Sequence, residues 1–216
     1  MAVSFSWVQA LSSENRRTDL IEDRLLTNRR IDGFSQFPRP VLPFRNPKGM
    51  AKITSAPLGE GSPAPDIQLQ TDTGEPFRLS GLRGKTVVLY FYPKADTPGC
   101  TTEACEFRDR RQRFETAGAV IVGVSPCPVE KQARFKVKYG LPFTLLSDSE
   151  KAAAQAYGVW REKNMYGKKT MGIVRSTFII GPDGKILKIF DKVRAEGHAA
   201  QVLEALAALN LIQQRS

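Results

Sequence analysis

The chain is predicted to fold as an α/β protein with a mixed central sheet flanked by helices. Three observations carry that prediction. The segment Thr86-Val-Val-Leu-Tyr-Phe-Tyr92 is an unbroken run of β-branched, aromatic and aliphatic residues without polar alternation, as expected of a strand buried on both faces. Beyond it, helical and strand-like segments alternate, a pattern that favours parallel pairing. Near the end, Gly181-Pro-Asp-Gly184 separates two apolar runs, a turn signal for an antiparallel pair that makes the sheet mixed.

The elements follow in order. Residues 67–69 and 76–78, around Thr73-Gly74, read as an opening hairpin, and residues 86–92 as the central strand. Pro93 ends that strand, and Pro98-Gly99 turns the chain into a helix. Residues 119–125 and 143–146 are strands. The helix between them, residues 128–139, has Ala133, Phe135 and Val137 as its apolar positions. Residues 174–180 and 185–190 flank the Gly181–Gly184 turn, and Val202, Leu203, Leu206 and Leu209 give the last helix one apolar stripe.

The chemistry concentrates at Pro93-Lys-Ala-Asp-Thr-Pro-Gly-Cys-Thr-Thr-Glu-Ala-Cys105. Open α/β sheets place their ligands in loops at the carboxyl ends of strands, and this loop follows the central strand. Cys100 falls at the start of the helix after it. The unpaired N–H groups and positive dipole end of a helix N-terminus favour a thiolate, so Cys100 reads as a nucleophile. Cys105 follows five residues later. On one regular helix that separation gives about 7.5 Å of rise and about 140° of rotation. The two Cα atoms then exceed the roughly 7 Å limit for a disulfide, so any bridge between them requires the first helical turns to unwind.

Pro93, Thr97 and Cys100, spaced P-x-x-x-T-x-x-C, resemble the active-site motif of peroxiredoxins, and the Cys-Thr-Thr-Glu-Ala-Cys continuation resembles the bacterioferritin-comigratory or Q subgroup. GEGSPAPDI from Gly59, YGLPFTLLSD from Tyr139 and GIVRSTFIIGPDGKI from Gly172 fit the same family in order, over residues 58–212. The resemblance implies a thioredoxin-like fold and a thiol peroxidase in which Cys100 attacks the O–O bond of hydrogen peroxide or an organic hydroperoxide. It also implies that Cys105 resolves the resulting sulfenic acid as an intramolecular disulfide, recycled by thioredoxin or a similar dithiol. Ionising a thiol that titrates near 8.5 in isolation contributes only about 2 kcal/mol at neutral pH. The rest must come from donors fixed around the breaking bond. By resemblance these are the Thr97 hydroxyl, the N–H groups around Gly99 and Cys100, and the Arg175 guanidinium. Arg175 interrupts an otherwise apolar strand-like run, and its planar fork suits a thiolate plus a peroxide oxygen better than a lysine would. The alternative is a thiol-disulfide oxidoreductase or a redox-regulated binding protein on the same fold. Such oxidoreductases use C-x-x-C, whereas this chain has C-x-x-x-x-C with a threonine before it.

Other chemistries lack residues. His198 is the only histidine and Cys127 the only further cysteine, which leaves too few ligands for a zinc site and no paired base for a cysteine protease. His198 is expected near the start of the last helix, either structural or exposed. Cys127 is expected on the same sheet edge as Cys100, as a spectator or an auxiliary thiol. No phosphate-cradle or dinucleotide motif occurs, so neither cofactor nor metal is expected. Net charge +10 raises nucleic-acid binding, but lysine and arginine are interleaved with acids throughout. The densest run, Arg108-Asp-Arg-Arg-Gln-Arg113, is expected on the helix after the active-site loop, and no dedicated nucleic-acid function is expected. No stretch reaches the roughly 18 apolar residues of a membrane span.

The chain of 216 residues reads as one domain of residues 58–213 preceded by an extension. Residues 1–57 read as that extension and a linker broken by Pro38, Pro40, Pro43 and Pro47, poorly ordered. Its acids contradict an organelle presequence, and Met50 reads as the native start. The expected setting is a cytoplasmic monomer in a reducing compartment, with an organelle stroma or matrix as the alternative if the extension is a targeting segment.

Overall fold

The computed structural model describes residues 58–165 and 168–213. The extension and the candidate start at Met50 lie outside the described residues. Nine strands and five α-helices are described: β1 Gln68–Thr71, β2 Pro76–Arg78, β3 Thr86–Phe91, α1 Pro98–Asp109, α2 Arg111–Thr116, β4 Ala119–Ser125, α3 Val129–Tyr139, β5 Thr144–Ser147, α4 Ala152–Ala156, β6 Trp160–Met165, β7 Lys168–Ile173, β8 Ser176–Ile180, β9 Ile186–Phe190 and α5 His198–Gln213.

Seven strands form one sheet in the order β2-β1-β5-β4-β3-β8-β9. The β3–β4 and β4–β5 pairs are parallel, and the outer pairs are antiparallel, so the sheet is mixed as expected. The apolar run of β3 is explained by its two faces. Val88, Tyr90 and Tyr92 enter one core with Phe107 of α1, Phe135 of α3 and Leu203 of α5. Val87, Leu89 and Phe91 enter the opposite core with Tyr157 and Phe178. A strand between two cores has no polar face to show. The tyrosine at 90 also dictates its neighbour in β4: a Cβ at Gly123 would stand 2.7 Å from the Tyr90 ring and 2.9 Å from Leu145.

Three local expectations are corrected. Arg175 is not inside a strand; it occupies the junction between β7 and β8. Val137 is 82% exposed and does not belong to the apolar face of α3. That face uses Gln132 instead, fully buried because Tyr92 donates to its Oε1 while its Nε2 donates to the Leu146 carbonyl at 2.8 Å. A satisfied amide is tolerated where an unpaired one is not. Finally, the basic run 108–113 spans the break between α1 and α2 at Arg110, where Arg108 donates to the Tyr139 carbonyl and Arg111 pairs with Glu115.

Candidate active site

Proline sets the geometry of the loop after β3. Pro98 occupies the first turn of α1, where its missing N–H costs nothing, and it forces Thr97 before it into an extended conformation, φ −113° and ψ 151°. Thr97 O accepts the first helical bond, from Thr101 N at 2.8 Å. Gly99 and Cys100 thus fall in the first turn, whose N–H groups have no intrahelical acceptor. Pro93, half-buried at the end of β3, has no N–H to extend the ladder. The Thr97 side chain departs from expectation: its hydroxyl donates to the Lys94 carbonyl at 2.9 Å, so its oxygen is left as an acceptor.

Two contacts hold the upstream half of the loop. Ala95 N–H donates to Cys127 Sγ at 3.3 Å. Asp96, at φ 61°, is bound by Lys138 Nζ at 2.9 and 3.0 Å and by the Tyr139 hydroxyl at 2.7 Å. Cys127 shares a buried cluster with Cys100, in keeping with the expected common edge.

Cys100 is 2% exposed, and Arg175 Nη2 donates to its Sγ at 3.3 Å. The other arm of the fork, Nη1, donates to Glu103 Oε2, one turn after the cysteine. Sequence reasoning treated Glu103 as part of a motif and gave it no task, yet it is fully buried. The available signal was its spacing, three residues from the nucleophile and therefore on the same helical face. Burial holds the Arg175 charge back, but Glu103 and Cys100 outweigh it, and Arg175 is shifted up. Burial pushes the Glu103 carboxyl up to about 7 against the attraction of Arg175.

That shift has a defined sign. A carboxyl raised from 4.5 to about 7 on folding stabilises the fold fully below the lower value, and the contribution is lost as pH rises through the higher one. Relative to Glu103→Gln, the wild type is expected to lose on the order of 3 kcal/mol of stability between about pH 4 and about pH 8. Urea unfolding of both proteins across that range checks it, and parallel curves would refute it.

The remaining candidates fall into place. Cys105 is half-buried on the same continuous helix as Cys100, so the regular-helix condition for a non-bridging pair holds, and all three cysteines are free. His198 begins α5, buried, with Nε2 2.7 Å from Thr177 Oγ1. Burial lowers its pKa to about 4, which makes it a neutral structural residue. Among the described residues no group of three or more His, Cys, Asp or Glu side chains could hold a metal, and no helix is long and apolar enough to cross a membrane.

A buried sulfur at a helix start beside a mixed sheet, hydrogen-bonded by a guanidinium from the β7–β8 junction, is the arrangement of a thiol-dependent redox enzyme. The sequence model of the AhpC/TSA family matches residues 61–189. Peroxiredoxin Bcp of Bacillus subtilis is 51% identical over 146 residues, 68% of this chain and 93% of that protein. The structure of peroxiredoxin Q from Xanthomonas campestris superposes with a TM-score of 0.63 at 44% identity, covering 66% of this chain and 90% of that one. A further Xanthomonas campestris structure, at 43% identity and TM-score 0.63 with the same coverage, is described by its alkyl peroxide reduction activity as a bacterioferritin comigratory protein. The chain belongs to the AhpC/TSA family, within its Bcp or Q peroxiredoxins, and is a thiol peroxidase with the thioredoxin-like fold of that family.

Proposed function

We propose that the protein reduces hydrogen peroxide and alkyl hydroperoxides through Cys100 as the peroxidatic thiol and Cys105 as the resolving thiol. The observation that carries the assignment is the 3.3 Å contact of Arg175 Nη2 with Cys100 Sγ, which aims a fixed positive charge at the attacking atom. The thiolate attacks the distal peroxide oxygen; the S–O bond forms as the O–O bond breaks. The alkoxide leaves as an alcohol, taking up the proton that the thiol released. Thr97 Oγ1, its own proton committed to Lys94, accepts from the peroxide O–H, while the Gly99 and Cys100 N–H groups and Arg175 stabilise the departing charge. Pro93 closes the strand pairing behind the loop and keeps the pocket free of competing backbone donors.

Cys100 is then a sulfenic acid. Cys105 condenses with it, water leaves, and a disulfide forms. Because both residues occupy α1, this step unwinds its first turns and exposes the bridge to a dithiol protein, thioredoxin or a similar reductant, which takes the disulfide in exchange. The enzyme acts as a monomer in the cytoplasm, where its free thiols stay reduced.

The test pairs peroxide treatment with peptide mapping. One equivalent of peroxide is expected to join Cys100 to Cys105, and amide exchange across residues 100–108 is expected to accelerate in that form. Cys105→Ser is expected to consume one equivalent of peroxide normally and to lose more than about 90% of turnover with thioredoxin. Full turnover in that variant, or identical exchange in both redox forms, would overturn the resolving role.

A further inference from the structure

Glu106 follows Cys105 on α1 and has been given no task. Its Oε1 accepts from the Gly197 N–H at 2.8 Å, and its Oε2 is buried without a hydrogen bond among the described residues. Gly197 lies at φ 75°, where a side chain would be strained, and its carbonyl accepts from Gln201 N at 3.3 Å. It therefore stands at the start of α5, and the Glu106 carboxylate meets the positive end of that helix.

The segment between β9 and α5 that ends at Gly197 also borders the catalytic loop. Val193 N–H donates to the Arg175 carbonyl at 3.0 Å, and Ala195 Cβ would lie 3.9 Å from a methyl group at residue 99. Among the described residues, the Glu106–Gly197 contact is the one hydrogen bond that joins α1 to this segment.

Position along the chain gives that bond its consequence. Side chains tie α1 to the rest of the protein at Glu103 to Arg175, at Glu106 to Gly197 and at Arg108 to the Tyr139 carbonyl. Cys105 lies between the first two ties. To reach Cys100 it must leave the regular helix, and the swing of residue 105 drags its backbone neighbour with it. Breaking a charge-assisted hydrogen bond opposes that swing. The Glu103 tie differs, because it belongs to the pocket around Cys100 and so bears on the oxidation step as well.

We propose that Glu106 is a positioning residue for the resolving step: by fastening the turn that carries Cys105 to the start of α5, it sets how fast Cys105 reaches the sulfenic acid on Cys100. The inference rests on the peroxidase reading with Cys105 as the resolving thiol. Its consequence is a partition. The waiting sulfenic acid either condenses with the Cys105 thiol, with loss of water, or attacks a second hydroperoxide, whose O–O bond breaks to leave a sulfinic acid and one alcohol or water. The tie to Gly197 lengthens the wait and favours the second course when peroxide is abundant.

The test follows a hydrogen peroxide pulse by acid quench, thiol alkylation and peptide mass spectrometry in the wild type, Glu106→Ala and Glu204→Gly. Glu204 is exposed on α5, so glycine there weakens a helix and lowers overall stability without touching the tie. Glu106→Ala is expected to form the disulfide about tenfold faster and to need about tenfold more peroxide for half-conversion to the sulfinic acid, the effect of losing one charge-assisted hydrogen bond. Its second-order rate of Cys100 oxidation is expected to stay within about twofold of the wild type, because folded α1 remains the dominant form. Glu204→Gly is expected to match the wild type in every one of these measures. Disulfide formation at the wild-type rate in Glu106→Ala would overturn the proposal. An equal acceleration in Glu204→Gly would overturn it too, by tracing the effect to global stability. A wild type that is oxidised at Cys100 but never joins it to Cys105 would instead bring down the resolving-thiol reading, and this inference with it.

Discussion

Cys100→Ser is expected to reduce peroxide consumption to the level of the buffer blank, a loss on the order of 10⁴-fold or more, while the protein stays folded. The two expectations come from one environment. Sulfur is needed because the reacting species is an anion, and a serine hydroxyl held in the same place stays protonated at neutral pH, so neither the helix start nor the guanidinium can make it a comparable nucleophile. The fold tolerates the change because the side chain is small, lies in the first turn of α1 and has one side-chain hydrogen bond, from Arg175 Nη2, which a hydroxyl can also accept. Stability is therefore expected to change by less than about 1 kcal/mol. Peroxide consumption with a thioredoxin system, alongside urea unfolding, measures both. Residual turnover above a few per cent would move the nucleophile to another thiol, and Cys127 would be the first to examine.

The second large effect is expected at Arg175. Arg175→Met removes the donor facing the sulfur and leaves Glu103 buried without its cation; kcat/KM is expected to fall by roughly 10²–10³, the usual cost of deleting one donor aimed at developing charge. Arg175→Lys is the sharper comparison. It keeps the charge, but a single ammonium cannot span Glu103 Oε2 and Cys100 Sγ as the two arms of the guanidinium do. A loss of about tenfold or more is expected in this variant too, seen as a slower single-turnover oxidation of Cys100. If Arg175→Lys matches the wild type, charge alone suffices and the fork contributes no specific geometry.

The loop from Pro93 to Cys100 was legible in the sequence because its physics is local. Proline fixes the backbone, glycine keeps the first turn open, and the strand before the loop announces itself by composition. Glu103 and the ribbon were harder to read for opposite reasons. A glutamate in a helix ordinarily means solvent, and only the long-range approach of Arg175 turns this one inward. The β6–β7 ribbon, Trp-Arg-Glu-Lys-Asn-Met and Lys-Lys-Thr-Met-Gly-Ile, belongs to a separate two-stranded sheet, so its sequence lacks the apolar density that marked β3 and β4. Val137 failed as a core position for a related reason. Residue type suggested burial, but the buried face of α3 is set by Phe135 and by an amide that Tyr92 and Leu146 satisfy.

In the proposed cycle, the fastening of Ala95 to Cys127 and of Asp96 to Lys138 and Tyr139 would determine how the enzyme returns to its starting state. Both ties lie upstream of Thr97, whereas both cysteines of the proposed disulfide lie downstream. Melting α1 therefore swings a short tether from a fixed post, and neither the end of β3 nor α3 needs to shift. Once the disulfide is reduced, rewinding begins from a proline and an extended threonine already in position. On that proposal the conformational search at the close of each cycle would be confined to a few residues, and the catalytic pocket could be dismantled and rebuilt without disturbing the sheet beneath it.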